Sequence, residues 1–337
     1  MQEARFWTGE GERVRCHLCP HSCLIASRKR GICGVRENRE GTLYSINYGK
    51  VSSMNVDPIE KKPLYHFHPG EAIFSLGSFG CNLRCLNCQN YLISQAAMGD
   101  LPLRDMAPQE VSEMAMAQGC RGVAFTYNEP TIWHEFTYDA MKVARDRGLF
   151  TVYVTNGFIQ EAPLRELSEQ LGAMNIDVKG FTGRFYSEVC RASLEPVLHT
   201  VALAHELGIH VELTYLIIPG ENDGREEISE FSAWVANIDP DIPVHFTRFH
   251  PDYQMSDRAP TPRSTMEIAR EMGVKAGLNF VYLGNINIPG GGDTTCPQCH
   301  TKVVERRGYQ VLLLNVREGR CTVCGRDLNM VCSKKER

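Results

Sequence analysis

Between residue 71 and about residue 284, short apolar runs rich in β-branched residues alternate with stretches whose apolar positions recur at helical spacing. That alternation is the mark of repeated βα units around a parallel sheet. It predicts strands at 72–76, 122–126, 151–155, 173–178, 210–217, 244–248 and 280–283. Helices are predicted between them at 108–116, 133–146, 162–170, 194–207, 225–236 and 264–272. Pro108 ahead of Gln109-Glu110, and Ser264 three residues before Glu267, are good helix start signals. About six such repeats fall short of a closed eight-stranded barrel, so the expected fold class is α/β, a partial (β/α)6-type TIM barrel. In such barrels chemistry sits at the C-terminal ends of the strands, and the polar motifs fall there. Gly80–Asn90 follows the first predicted strand, Tyr127-Asn-Glu-Pro130 the second and Thr155-Asn-Gly157 ends the third. Asp177-Val-Lys179 ends the fourth and Phe249-His250 follows the sixth.

Two small cysteine-bearing regions flank this pattern, each too short to build a core without a staple such as a metal. The chain therefore divides into an N-terminal Cys-rich region at 1–70, a barrel at 71–288 and a C-terminal four-cysteine module at 289–337. Pro289-Gly-Gly-Gly292 reads as a flexible linker into the last. Beyond the βα alternation there is no internal repeat and no low-complexity tract.

A chain of 337 residues with 43% hydrophobic and 23% charged residues has ample material for a soluble core. Its net charge of −4 gives no global electrostatic reason to expect a nucleic acid. No apolar run reaches the roughly 18 residues needed to span a bilayer, and Met1-Gln-Glu-Ala-Arg-Phe-Trp7 lacks the apolar stretch of a secretion signal. The expected location is cytoplasmic. There thiols stay reduced, so 14 cysteines argue for metal or cluster ligation rather than disulfides. Most fall into three sets: Cys16/Cys19/Cys23/Cys33, Cys81/Cys85/Cys88 and Cys296/Cys299/Cys321/Cys324. Cys120 and Cys190 are left as small buried hydrophobes and Cys332 as a tail thiol.

Cys81, Cys85 and Cys88 have C-x3-C-x2-C spacing on one predicted loop. Thiolates hold [4Fe-4S] clusters four to a cluster, so a set of three leaves one iron open to a bound reactant. A structural zinc site, the alternative, almost always takes four ligands. Here the chain resembles the radical SAM superfamily, and more narrowly the radical SAM member of the AmmeMemoRadiSam system, related to pyruvate formate-lyase activating enzymes. Beyond the cysteines, the resemblance rests on Asp57-Pro-Ile-Glu-Lys-Lys-Pro-Leu-Tyr-His66, Tyr127-Asn-Glu-Pro130, Asp177-Val-Lys179, Ile218-Pro-Gly220 and Phe249-His-Pro251. Asn87 stands where an aromatic residue commonly precedes the third cysteine.

The resemblance implies that the open iron takes S-adenosylmethionine (SAM), and that reductive cleavage yields a 5'-deoxyadenosyl radical that removes hydrogen from a substrate. Two subclasses follow, glycyl-radical generation on a protein or modification of a small molecule. The resemblance places Asn128 and Glu129 at the SAM amino group, Asp177 and Lys179 against SAM, and His250 near the adenosyl group. It also implies an electron donor of flavodoxin or ferredoxin type, and association with Memo-like and AMMECR-domain proteins. Thr155 and Asn156 offer a hydroxyl and an amide to a carboxylate or ribose, or serve only as a turn. Asp177 and Lys179 share one face of a strand, as a SAM contact or as a structural ion pair. Arg248 and Glu212, charged within predicted strands, are candidate substrate contacts.

In the C-terminal set, two C-x2-C knuckles about 20 residues apart have zinc-ribbon spacing, with a rubredoxin-like iron as the alternative. The N-terminal set is tight enough for one metal centre, zinc or an auxiliary [4Fe-4S] cluster, with His17 and His21 as alternative ligands. A reading of another class is a metal-stabilised protein- or RNA-binding module whose cysteines are all structural.

Overall fold

The computed structural model describes residues 1–333, so the last four positions of the expected 289–337 module lie outside the described residues. One sheet organises the chain. Its strands are β1 (Ser53–Pro58), β2 (Ala72–Gly77), β3 (Gly122–Phe125), β4 (Phe150–Thr155), β5 (Ala173–Asp177), β6 (His210–Ile217), β7 (Val244–Arg248) and β8 (Val281–Gly284). From β2 to β8 the strands are neighbours in chain order and every pair is parallel. β1 and β8 remain as edges, so the barrel is partial. Strands such as Gly-Val-Ala-Phe in β3 are buried throughout, which is why they read as continuous apolar runs. Helices Pro108–Ala117, His134–Asp146, Glu161–Ser168, Glu195–Glu206, Arg225–Ile238 and Arg263–Lys275 fill the connections. His134–Asp146 shows how they pack, burying Phe136, Ala140, Met141 and Ala144.

Residues 53–58 were expected outside the barrel, yet β1 pairs antiparallel with β2, Asp57 opposite Ile73. Ser-Met-Asn-Val-Asp-Pro is polar and largely exposed, as suits an edge strand, so its apolar pattern carried little signal. After β1 the chain plugs the barrel floor. Ile59, Leu64 and Phe67 pack against Ile73, Ala124, Val152 and Ala173 near the strand starts.

The C-terminal module is stitched onto this plug. Its tetracysteine core packs Cys296, Val303, Val304, Cys321, Leu328 and Met330 against Tyr65, Phe280 and Tyr282. Val331 N–H donates to His66 O and His68 N–H to Val331 O, both at 2.7 Å. Pro289–Gly292, expected as a flexible linker, forms a turn in which Gly291 N–H donates to Ile288 O and Leu283 N–H donates to Gly291 O. The N-terminal region has a small core of its own, Ala4, Val14, Leu18, Ile25 and Leu43. A buried Arg36–Glu135 ion pair at 2.8 Å ties it to the helix His134–Asp146.

Candidate active site

The cysteine loop leaves β2 through Gly80, at φ +82°, where an added Cβ would lie 2.6 Å from Cys33 O. Side chains from neighbouring strand ends satisfy this irregular backbone. Asn128 accepts from Ser78 N–H and donates to Gly80 O, both at 3.0 Å. Asn82 donates to Phe158 O at 2.8 Å and accepts from Asn156 Nδ2 at 2.9 Å. Arg84 and Leu86 donate backbone N–H groups to Cys190 O and Val189 O, each at 3.0 Å. Those acceptors lie in a π-helical turn, Tyr186–Cys190, that the periodicity did not predict. The loop thereby presents Cys81, Cys85 and Cys88 to a cavity of about 1030 Å³ at the C-terminal strand ends.

Asn128, Glu129, Thr155, Asn156, Asp177 and Lys179 line the same cavity. Glu129 is buried, and its carboxylate accepts from Thr131 N–H at 2.9 Å, Thr155 Oγ1 at 2.6 Å and Asn156 N–H at 2.8 Å. Burial still raises its pKa. Lys179 Nζ pairs with Asp177 Oδ2 at 3.0 Å. Burial alone would lower Lys179, but Asp177, Cys85 and Cys190 hold it well above the ordinary lysine value. Cys190 is fully buried, and its thiol interaction with Cys85 holds the Cys85 pKa down against the effect of burial. Sequence reasoning missed this role because a lone buried cysteine reads as a small hydrophobe.

The far side of the cavity is built from the plug and the C-terminal module. Lys61, Lys62 and Tyr65 line it, with Glu305, Arg306, Arg307 and Tyr309. Lys62 is buried, its Nζ 2.6 Å from Asp57 Oδ2, which also accepts from Tyr127 OH at 2.9 Å. Burial lowers the pKa of Lys62 despite that partner. Tyr127 sits at φ +71°, a left-handed conformation costly for a bulky residue, and it lies between β3 and Glu129. The motif at 57–66 pointed here only as a block, without roles for its members.

Three expected residues are not brought to the cavity. The His250 side chain is 73% exposed and faces Asp252, because the chain buries Phe249 instead and turns outward at Pro251. Arg248 donates through Nε to Thr261 O at 2.9 Å. Glu212 is fully buried, accepting from Tyr65 and His66 N–H groups at 2.9 and 2.7 Å while contacting His210 and His245. It anchors the plug: a charge inside a barrel strand can serve the floor as well as the cavity mouth.

The three cysteines fit a cluster with one iron left open. Leu83 N–H donates to Cys81 Sγ at 3.3 Å, as suits a ligating thiolate, while the buried Oδ1 of Asn87 beside Cys88 has no donor and calls for an N–H or O–H group rather than cluster sulfur. Among the described residues, only Cys296, Cys299, Cys321 and Cys324 bring three or more ligand atoms all within 4.8 Å, the spacing of a single ion. The Cys81, Cys85 and Cys88 sulfurs do not meet that spacing, and a cluster with several metal corners does not ask it of them.

Comparison with known proteins agrees with this geometry. A family model for the radical SAM superfamily matches residues 76–232. The chain is 45% identical to the uncharacterized protein MJ0808 of Methanocaldococcus jannaschii over 335 residues, 98% of this chain and 100% of that one. It is 21% identical to the pyruvate formate-lyase-activating enzyme of Clostridium pasteurianum over 47% of this chain and 67% of that one. Among solved structures, Streptococcus suis SuiB bound to S-adenosylmethionine superposes with a TM-score of 0.51 at 12% identity, covering 68% of this chain and 54% of that one. That last likeness is one of fold. With the cysteine loop at the head of a partial barrel and a matching family model, residues 76–232 of this chain are a domain of the radical SAM superfamily, whose members use a [4Fe-4S] cluster and SAM.

Proposed function

We propose that the cavity binds SAM against a cluster held by Cys81, Cys85 and Cys88 and removes hydrogen from a small enclosed substrate. The observation that carries this reading is the convergence of those cysteines with Glu129, Asn156, Asp177 and Lys179 on one cavity. When bound, the cluster supplies one electron, which splits SAM into methionine and a 5'-deoxyadenosyl radical. Glu129 and the Asn128 carbonyl suit the SAM ammonium, while Asn156 braces both Glu129 and the loop at Asn82. Thr155 holds Glu129 through its hydroxyl, and the Asp177–Lys179 pair offers one charge of each sign. His250, turned to solvent, has no part in this reading.

A small molecule is favoured over glycyl-radical generation because the hairpin Lys302–Arg307 and Gln310–Leu314 walls the far side of the cavity. The C-terminal set takes zinc: sulfurs 3.6 and 3.7 Å apart match tetrahedral bonds of ~2.3 Å to one ion. Within this reading residues 289–337 are one working unit, and residues 53–70, expected with the N-terminal region, work with the barrel whose sheet they join and whose floor they fill. The electron comes from a flavodoxin or ferredoxin, Memo-like and AMMECR-domain proteins are functional partners, and the chain works in the cytoplasm. No described helix is long and apolar enough to cross a membrane.

The test is mass-spectrometric detection of 5'-deoxyadenosine after anaerobic incubation of iron- and sulfide-reconstituted protein with SAM and dithionite. Product is expected from the wild type and none from the variant with Cys81, Cys85 and Cys88 changed to Ala. A cluster-loaded wild type that neither binds nor cleaves SAM overturns the reading. Glu129→Ala should weaken SAM binding by about tenfold or more, roughly 1.4 kcal/mol, with iron content unchanged.

A further inference from the structure

We infer that Cys16, Cys19, Cys23 and Cys33 hold a second [4Fe-4S] cluster, placed to pass electrons to the group on Cys81, Cys85 and Cys88. The relay half of this inference rests on the radical SAM reading; the site half does not.

The four cysteines line one cavity, walled otherwise by Leu18, Ile25, Ile32 and Ile132 and by His21 and Arg36. The two histidines are engaged elsewhere, His17 Nε2 with Thr8 Oγ1 at 2.8 Å and His21 Nε2 with Asn82 O at 2.7 Å. His17 does not line the cavity, and the four thiolates meet the ligand count of a [4Fe-4S] cluster without His21. The sulfurs do not close on a point. No three of them lie within the 4.8 Å that the C-terminal set meets, whereas bonds of ~2.3 Å to one zinc ion would draw them together. A cubane puts each thiolate on a different iron corner and suits the wider spacing.

Arg36 is an independent sign of an occupant. It is 1% exposed and lines the cavity, and its two Nη atoms are taken by Glu135 and Arg5 O. Its Nε is buried with no acceptor. A buried guanidinium N–H without an acceptor is costly, and an anionic cluster sulfur beside it removes the cost.

The site abuts the catalytic loop. Cys33 O is the atom that a Cβ on Gly80 would strike, one residue before Cys81. His21 contacts the carbonyl of Asn82, one residue after it, and Arg84 bridges Cys81 O and Ile32 O. Each transfer moves one electron. A donor of flavodoxin or ferredoxin class is oxidised by one electron, the N-terminal cluster is reduced by one and re-oxidised as the catalytic cluster is reduced, and no bond or proton changes hands.

The test uses full-length protein, reconstituted anaerobically: wild type, Cys81→Ala/Cys85→Ala/Cys88→Ala, and Cys19→Ala/Cys23→Ala. Iron, sulfide and zinc are counted, and the dithionite-reduced proteins are examined by electron paramagnetic resonance with and without SAM. The expected iron content is about eight per wild-type chain and about four in each variant. In the triple variant the remaining signal should be unmoved by SAM, since four thiolates leave no open iron. A triple variant with no iron and an extra zinc overturns the site even if the wild type cleaves SAM. Two clusters in the wild type with neither signal moved by SAM would leave the site standing and sink the radical SAM reading. For the relay, Cys19→Ala/Cys23→Ala should lose at least about tenfold of flavodoxin-driven SAM cleavage while dithionite-driven cleavage persists. Equal losses with both reductants overturn it. If that variant fails to fold, the iron count of the triple variant still decides the site.

Discussion

At the C-terminal end, Cys296, Cys299, Cys321 and Cys324 draw their sulfurs within 4.8 Å of one another and sit in the core of a small module. At the N-terminal end, Cys16, Cys19, Cys23 and Cys33 surround a cavity pressed against the catalytic loop. Both sets are short-spaced thiols on turns, and both support regions too small to stand alone. They differ in what lies next to them. The C-terminal sulfurs have Val303, Val304 and Leu328 as neighbours and contribute a wall to the active site at one remove, through Arg306 and Tyr309. The N-terminal sulfurs have Arg36, His21 and the carbonyl ahead of Gly34 turned toward Gly80. Ligand count alone therefore does not assign a job to a cysteine set; sulfur spacing and contact with the reaction centre do.

The comparison breaks most visibly if the C-terminal set is denied the zinc proposed for it. Structural zinc in small domains contributes on the order of 10 kcal/mol of apparent folding free energy. Cys299→Ser/Cys321→Ser should therefore abolish zinc binding and melt the module. Because Arg306 Nη2 donates to Tyr65 O at 2.7 Å and its guanidinium lies 4.2 Å over the Tyr65 ring, the cavity wall goes with it. Limited proteolysis should then cut within 294–321 while iron content is retained. Resistance to protease in the zinc-free variant would show that the module folds on its apolar core alone.

How much of this could be read before the structure follows from what each residue leaves in the pattern. The parallel strands were legible because β2 through β8 are buried on both faces and written in apolar runs. β1 was not, since an exposed edge strand has no buried face to mark it. The cavity residues from Asn128 to Lys179 fell at strand ends by periodicity alone, and they line one space. Glu212 and Arg248 show that charge within a strand says that a partner exists, not which one: Glu212 serves the floor and Arg248 bonds Thr261 O, while His250, placed by resemblance, lies just past the strand end and turns to solvent. Cys190 and Arg36 left no local signal, because their roles depend on residues about a hundred positions away.

A smaller effect tests the contact at the N-terminal set. Gly80→Ala puts a Cβ 2.6 Å from Cys33 O at a backbone φ of +82°, so strain of about 1–3 kcal/mol is expected. Gly308→Ala is the matched control at φ +60°, with nothing within 4 Å of its Cβ. Thermal melting should fall clearly more for Gly80→Ala, with iron lost from both clusters. Equal melting of the two variants would mean that the loops are not in firm contact.

The smallest effect is a pH dependence at the joint between barrel and C-terminal module. Burial lowers His66 to about 3, and its ring nitrogens contact Leu328 O at 2.7 Å and Tyr282 OH at 2.6 Å. Burial also lowers His68 to about 4, against Ser333 Oγ at 2.8 Å. Both are neutral when folded, whereas the unfolded chain takes up their protons near pH 6.5. Their contribution is complete above that pH and is lost as pH falls below it, continuing toward their folded values. From pH 7.5 to 6 the fully buried His66 alone should cost just under ~1 kcal/mol of stability. His66→Gln keeps a polar side chain at the joint but removes the proton, so its stability should be lower at pH 7.5 and flatter with pH. Denaturant melts of both proteins across pH 5–8 measure the two slopes. Parallel slopes would place the acid sensitivity elsewhere, and a flat wild-type curve would show that the joint admits water enough to protonate His66 without opening.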